Sequence, residues 1–252
     1  MRKQINTLIE FLEFPLNSES QIIDKFKSIP GSVYHTANKP REEFVFIRGT
    51  RPDRVTLIAH CDTVFDDISS HQIKIEDGRI FSANDNCGIG ADDRAGCAML
   101  WLLRNSGHNV LIVNGEESSH IDSERKGSYF LIEDYPEIAK EIQESSFMLE
   151  FDRRKGNAYT CYHLPVSENF IKYIESELNL VADGSGWTDI IALSSKTIAD
   201  NCCCAANISV AYYHAHRNDE YLVIAEWHKA FEKYKAFLEK QQRRFINILS
   251  LY

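Results

Sequence analysis

Stretches with apolar residues every three or four positions alternate along the chain with short runs that are apolar almost throughout. Ile5, Leu8, Ile9 and Leu12 stand about a helical turn apart, and Pro15 ends the series. Ser18 with Gln21 has the form of a capping box, and Ile22, Ile23, Phe26 and Ile29 behind it predict a second helix. FVFIRG and VTLIAH read as strands, and KIEDGRIFSA as a hairpin turning at Asp77-Gly78. Ala95, Ala98, Met99, Leu102 and Leu103 share one face, which predicts an amphipathic helix from Asp92 to Asn105. NVLIVNG, FMLEFD and NISVAYYHAH read as further strands; PEIAKEIQES and LPVSENFIKYIESEL read as helices. A long helix from about Leu222, with a charged solvated face, closes the pattern.

Helices alternating with unbroken apolar strands predict an α/β sheet covered on both faces. The expectation is one three-layer α-β-α domain over residues 1–252, with a mixed, largely parallel central sheet. No internal repeat, low-complexity segment or linker divides it.

Composition narrows the function. The chain is 252 residues long and 44% apolar, ample for a sizeable core. Its net charge of -9 argues against a nucleic-acid partner and against an anionic membrane surface. No apolar run approaches the roughly 18 residues of a membrane span, and MRKQINTLIEFLEF reads as a helix rather than a signal peptide. The cysteines are odd in number, seven, with Cys202, Cys203 and Cys204 consecutive. That predicts reduced thiols and a cytoplasmic protein. Consecutive strand side chains alternate faces, so the three predict core packing rather than a metal site.

Polar residues collect at the C-terminal ends of the expected strands. VTLIAH ends at His60, with Asp62 just beyond; VLIVNG runs into Glu116 and Glu117; FMLEFD ends at Asp152; ISVAYYHAH ends at His216. Asp92 and Asp93 open the helix after the hairpin. Open α/β sheets bind ligands at this edge, and imidazoles with carboxylates are a metal-ligand inventory. Each piece alone has an ordinary reading. Glu116-Glu117 suits a solvated loop, and Asp92-Asp93 suits a helix N-terminus. Their recurrence at one kind of position is what solvation does not explain.

With these residues the chain resembles the dinuclear zinc exopeptidases and deacylases, both peptidase T-like and compact aminopeptidase-like members. The resemblance rests on HCDTV at His60, GIGADDRAG around Asp92, GEE at Glu116, EFD at Asp152 and HRNDE at His216, in the family's order and over most of the chain. It implies two zinc ions per chain, with cobalt or manganese as possible substitutes. His60 and Asp152 would hold one ion, Glu117 and His216 the other, with Asp92 bridging. Glu116 would be the general base, and Asp62 would orient His60. His214, and Gly186, Trp187, Thr188 and Asp189 of DGSGWTDI, are candidates for substrate contacts.

Departures from the family pattern also matter. Some relatives carry a lid or dimerisation domain of about a hundred residues. Here only 31 residues separate His60 from Asp92, and 63 separate Asp152 from His216. The expectation is a bare catalytic domain with no counterpart of the lid histidine. SSHIDSERKG after Glu117 is longer than usual and reads as a surface loop. The leading functional expectation is an aminopeptidase or exopeptidase on small peptides. The alternative is a deacylase of N-acyl amino acids on the same site; a third reading is a non-catalytic binding protein with a relic site. The sequence fixes neither the substrate nor the oligomeric state.

Overall fold

Two apolar clusters, one on each side of a central sheet, organise the chain. The computed structural model describes residues 1–39, 41–65, 67–117, 125–184, 186–195, 198–199 and 201–248. In chain order the elements are α1 (Arg2–Leu12), α2 (Ser20–Lys27), β1 (Ser32–Thr36), β2 (Glu43–Ile47), β3 (Thr56–His60), β4 (Ile73–Glu76), β5 (Arg79–Ser82), α3 (Ala91–Leu103), β6 (Asn109–Val113), α4 (Gly127–Asp134), α5 (Pro136–Gln143), β7 (Met148–Arg153), β8 (Ala158–Thr160), α6 (Glu168–Leu178), β9 (Val181–Ala182), α7 (Asp189–Ser195), β10 (Ala205–Ser209), β11 (Tyr212–Tyr213), β12 (Tyr221–Val223) and α8 (Ile224–Glu239).

The main sheet has the order β1-β2-β6-β3-β7-β10-β8-β9. Its centre, β6-β3-β7-β10, is parallel, and antiparallel pairings flank it. Strand alternation sorts the side chains into the two clusters. On β6, Val110 and Ile112 face the cluster built with α1, α2, α3, α6 and α8. Leu111 and Val113 face the one built with α4, α5 and α7. Both faces are therefore dry, which is why these strands read as continuous apolar runs. This is the expected three-layer arrangement, with a mixed, mostly parallel sheet. Gly96 marks where α3 lies closest to β7: a Cβ there would strike the carbonyl oxygen of Phe151 and the Asp93 carboxylate.

A second, antiparallel sheet, β11-β12-β5-β4, stands beside the first. It includes the expected hairpin, with Asp77 and Gly78 at φ +48° and +74°, as a tight turn with two left-handed residues requires. This hairpin is the regular structure between His60 and Ala91; among the described residues no lid forms there.

Three expectations need correction. NISVAYYHAH is not one strand: β10 ends at Ser209, Ala211 turns left-handed at φ +66°, and the chain moves to the second sheet as β11. Ser18 with Gln21 forms no capping box. Glu19 holds the N-cap position of α2 without a side-chain bond, and Ser18 Oγ accepts from Ser20 N at 3.4 Å instead. LPVSENFIKYIESEL does contain a helix, but it starts only at Glu168, where the Ser167 hydroxyl accepts from Phe170 N. Strands β1, β8, β9 and β12 and helices α4 and α7 lie outside the elements the pattern predicts, and the last helix begins at Ile224, after β12. All seven cysteines are free, and Cys202, Cys203 and Cys204 are buried as expected. No helix among the described residues is long and apolar enough to cross a membrane.

Candidate active site

At the C-terminal edge of the parallel strands lies a cavity of 240 Å³. It is bordered by Asp92, Glu116, Glu117, Asp152 and His216, with His60 beneath. Each arrives by a different route. His60 ends β3 and is fully buried. Asp152 stands one residue from the end of β7. Asp92 and Asp93 lie at the head of α3, joined by a cis peptide, and neither has helical φ and ψ. Gly115, at φ +81°, turns the chain after β6 and delivers Glu116 and Glu117. His216 is not at a core strand end. It sits past β11 in a left-handed conformation, φ +65°, which L-residues adopt at a cost.

Asp92 is the centre of the cluster. Its Oδ1 lies 3.3 Å from His60 Nε2, and its Oδ2 lies 3.1 Å from His216 Nε2. On the first side His60 Nε2 is also 3.7 Å from Asp152 Oδ1. On the second, His216 Nε2 is 2.6 Å from Glu117 Oε1. Histidine and carboxylate donors within 4.8 Å of one another form two groups, His60–Asp92–Glu117 and His60–Asp93–Asp152.

Asp62 does more than the sequence suggested. Its Oδ1 is 3.3 Å from His60 Nδ1, at ion-pair distance but without hydrogen-bond alignment. The same carboxylate accepts the backbone N–H groups of Glu116 and Glu117 at 3.1 and 2.9 Å. One side chain therefore faces the ring of one candidate ligand and anchors the turn carrying two others.

The charges are strongly coupled. The His216 ring is pushed up to about 11 by its bonds to Asp92 and Glu117. Burial raises Asp92, but the bonds from His216 and His60 outweigh it and hold the carboxyl below its usual range. Asp152 is raised to about 7 by burial and by the neighbouring Asp92 charge. Burial lifts Glu116 well above the ordinary carboxylate range, with Asp189, Glu117 and Asp152 adding to it. Glu117 is raised by burial and Asp92. Beneath them Glu150 and Asp189 are fully buried, and none of their carboxylate oxygens finds a hydrogen-bond partner among the described residues. Carboxylates crowded in this way call for cations.

Residues to which the sequence assigned no role build the frame. Glu220 is buried; its Oε2 accepts from Ile89 N and Gly90 N at 2.8 Å, and its Oε1 from Asp92 N at 3.2 Å. It thus fixes the segment carrying Asp92, and its only sequence signal was the last letter of HRNDE. Asp93 turns inward, accepting from His60 N at 3.3 Å and Gly96 N at 3.0 Å. The Tyr212 hydroxyl donates to Asp152, 3.1 Å from both its carbonyl oxygen and Oδ1. Asn207 Nδ2 donates to Asp152 O and to the Tyr162 hydroxyl, each at 3.0 Å. Tyr162 lines the cavity from a left-handed backbone, φ +53°. Lys126 donates to the carbonyl oxygen of Glu116 and stands 3.9 Å over the Trp187 ring.

The candidate substrate residues divide. Trp187 lines the cavity and stacks on Tyr129. Thr188 Oγ1 donates to Asp152 Oδ2 at 3.3 Å, so it supports a candidate ligand. Asp189 is buried as the first residue of α7. Gly186 is exposed, at φ +145°, with the Tyr162 ring beside it. His214 does not join the group. It is half-exposed, 2.8 Å from Asp219 Oδ2, with its ring against Tyr221. The loop expected after Glu117 falls largely on residues 118–124, outside those described.

No protein-family model matches the chain, and no curated protein sequence does. Solved structures do. The fold is similar to that of aminopeptidase PepT from Bacillus cereus, with TM-score 0.68 and 12% identity over 94% of this chain and 98% of that one. It is similar to a tripeptidase from Staphylococcus aureus, with TM-score 0.65 and 13% identity over 94% and 97%. An endoglucanase from Thermotoga maritima also matches, with TM-score 0.53 and 12% identity over 92% and 96%. The chain has the fold these proteins share, the one the sequence resemblance implied. A fold shared by peptidases and an endoglucanase does not decide the reaction; the site does.

Proposed function

We propose that the protein is a metal-dependent hydrolase of peptide or amide bonds, acting as an aminopeptidase or exopeptidase on small peptides with two zinc ions per chain. One observation carries the reading: the two oxygens of Asp92 face two different imidazoles, each accompanied by a second carboxylate. That is the donor pattern of a bridging carboxylate between two ions. His60 and Asp152 would hold one, and Glu117 and His216 the other. Imidazole and carboxylate donors without thiolate suit zinc, with cobalt and manganese as substitutes. The buried acids of the cavity fit such cations, because burial and neighbouring carboxylates hold Glu116 and Asp152 above the ordinary carboxylate range. When bound, the ions would lower the pKa of a water and polarise the scissile carbonyl.

The chain's own groups supply the rest. Glu116 lines the cavity without an imidazole partner, so it is free to accept the proton of the attacking water and pass it to the leaving nitrogen. Lys126 and Asp62 hold its backbone from two sides. Tyr212 spends its hydroxyl proton on Asp152, whereas Tyr162 accepts from Asn207 and keeps its own proton to donate toward the carbonyl oxygen.

Metal analysis with turnover of aminoacyl and N-acyl amide substrates tests this. The expected result is two zinc ions per chain and cleavage of the aminoacyl series. Glu116→Gln should keep both ions and lose about a hundredfold to ten-thousandfold in kcat, the usual worth of a general base. Protein that takes up no zinc, or full activity in Glu116→Gln, would overturn the reading; preference for the N-acyl series would favour a deacylase.

A further inference from the structure

The second sheet ends in an open edge. β4 pairs with β5 through Ile73↔Ser82, Lys74↔Phe81, Ile75↔Ile80 and Glu76↔Arg79, and no described strand lies on its other side. Antiparallel neighbours alternate between pairs that exchange backbone bonds and pairs that do not. Ala83 N donates to Gln72 O at 2.7 Å, so Gln72, Lys74 and Glu76 turn their backbone groups toward β5. Ile73 and Ile75 turn theirs outward, where among the described residues nothing bonds to them. Ile75 is also 50% exposed, although it stands opposite the fully buried Ile80.

An open edge is a template for another strand, and charged side chains on it usually keep strands away. Here the order of the charges matters. Lys74 and Glu76 share the outer face of the sheet, 3.8 Å apart, and neither has another ion-pair partner among the described residues. Against a second copy in antiparallel register about Ile75, the edge is complementary to itself. Ile75 exchanges both outward backbone bonds with the partner's Ile75. Lys74 meets the partner's Glu76, and Glu76 meets the partner's Lys74. Those two pairs exchange no backbone bond across the seam, which is where cross-strand side chains come closest. On the inner face the two Ile75 side chains cover each other beside Ile80.

Other registers fail. Sliding the partner by two residues sets lysine against lysine or glutamate against glutamate, and like charges directly opposite are unfavourable. A one-residue shift opposes the outward groups of one edge to the occupied groups of the other.

We propose that β4 is a dimerisation edge: two copies of this chain join their second sheets by antiparallel β4–β4 pairing centred on Ile75, with Lys74 and Glu76 setting the register. The seam is short, well below the area of a permanent dimer, so association is weak and depends on concentration. The proposal does not rest on the hydrolase reading. Its consequence for the candidate site is that the continuous sheet holds, in each copy, the segment between β11 and β12 that carries His216 and Glu220.

Sedimentation velocity of the full chain, from micromolar to submillimolar concentration, tests it. Wild type should pass from monomer to dimer over that range. Lys74→Glu and Glu76→Lys each set like charges across the seam twice, so each alone should weaken self-association by about tenfold or more. Mixed together, the two single variants should form a heterodimer, because acids then face lysines at both pairs. The double variant Lys74→Glu/Glu76→Lys should dimerise like wild type, and either recovery shows that the variants fold. Ile75→Pro removes only an outward N–H, a place where an edge strand tolerates proline, and should stay monomeric. Wild type that remains monomeric to the top of the range overturns the proposal. So does a dimer that survives all three single substitutions, or one that neither the mixture nor the double variant restores.

Discussion

The two ends of the parallel strands are built from similar polar residues and treat them differently. At the N-terminal end every group named here is paired within the chain. Asn109 accepts from Gly49 N at 2.8 Å and donates to Thr56 and Ser145 at 3.1 and 3.3 Å. His108 accepts from Val55 N at 3.0 Å and meets the carbonyl of Leu238 at 2.9 Å. Arg51 grips Asp53 with two bonds, which hold that carboxyl well below its usual range. At the C-terminal end acids face acids and histidines, burial pushes most of the carboxyls up, and among the described residues Glu150 and Asp189 have no cation and at most a hydroxyl, of Thr188 or Ser128, beside them. The N-terminal end also leaves Arg54 Nε and Ser106 Oγ buried without a partner among the described residues, but it leaves no carboxylate so. Crowded buried carboxylates at one end alone are the physical case for expecting cations there.

Adding zinc should give the largest stability change. Saturating binding at about a hundred to a thousand times the dissociation constant stabilises a protein by roughly 3–4 kcal/mol per site, so the thermal midpoint should rise on zinc addition and fall with a chelator. An unchanged midpoint would erase the contrast between the ends. Glu117→Gln should cut much of that gain, because one of its carboxylate oxygens faces His216. Asn109→Ala, at the N-terminal end, should cost about 2 kcal/mol in urea unfolding, the price of leaving buried partners unsatisfied. Its gain on zinc addition should match the wild type. A reduced gain would show that the two ends are coupled.

The smallest effect concerns a buried acid that does have partners. Glu42, 1% exposed, accepts from Lys39, from Arg125 N and from the Arg125 side chain, whose bond does most to hold its carboxyl down at about 2. A carboxyl lowered on folding stabilises the fold above its unfolded pKa, and that contribution is lost as pH falls. Wild-type protein should therefore lose stability between about pH 4.5 and pH 2, and Glu42→Gln should lose less over that window. Parallel acid-unfolding curves for the two would show the pairing to be energetically silent.

Much of this was legible because the sheet centre is written in alternation. β3, β6 and β7 place His60, Glu116, Glu117 and Asp152 by their ends alone. His216 follows from the HRNDE resemblance but not from a strand end. Left-handed backbone at Ala211, His214 and His216 breaks the expected strand, and none of these residues signals it as glycine would. His214 and His216, two apart, would share a face only in an extended strand, and the break sends them to different partners. The supporting roles of Glu220, Lys126, Tyr162 and Asn207 depend on contacts spanning 10 to 128 residues, and no local pattern encodes them. Short helices such as α7, seven residues long, also give too little periodicity to read.

The bond from Asp92 N to Glu220 joins positions 128 residues apart and sets a schedule for biosynthesis. His60, Asp92, Glu116, Glu117 and Asp152 all leave the ribosome before the residues that complete and brace their cluster. Until His216 and Glu220 emerge, the nascent chain holds crowded acids without one imidazole and without the carboxylate that anchors the Asp92 segment. Assembly of the centre is therefore a closing event of folding rather than a seed for it. A translation product that stops short of Glu220 should also lack α8, whose Trp227, Phe231, Tyr234 and Phe237 fill the core beside the sheet, and should carry none of the finished site.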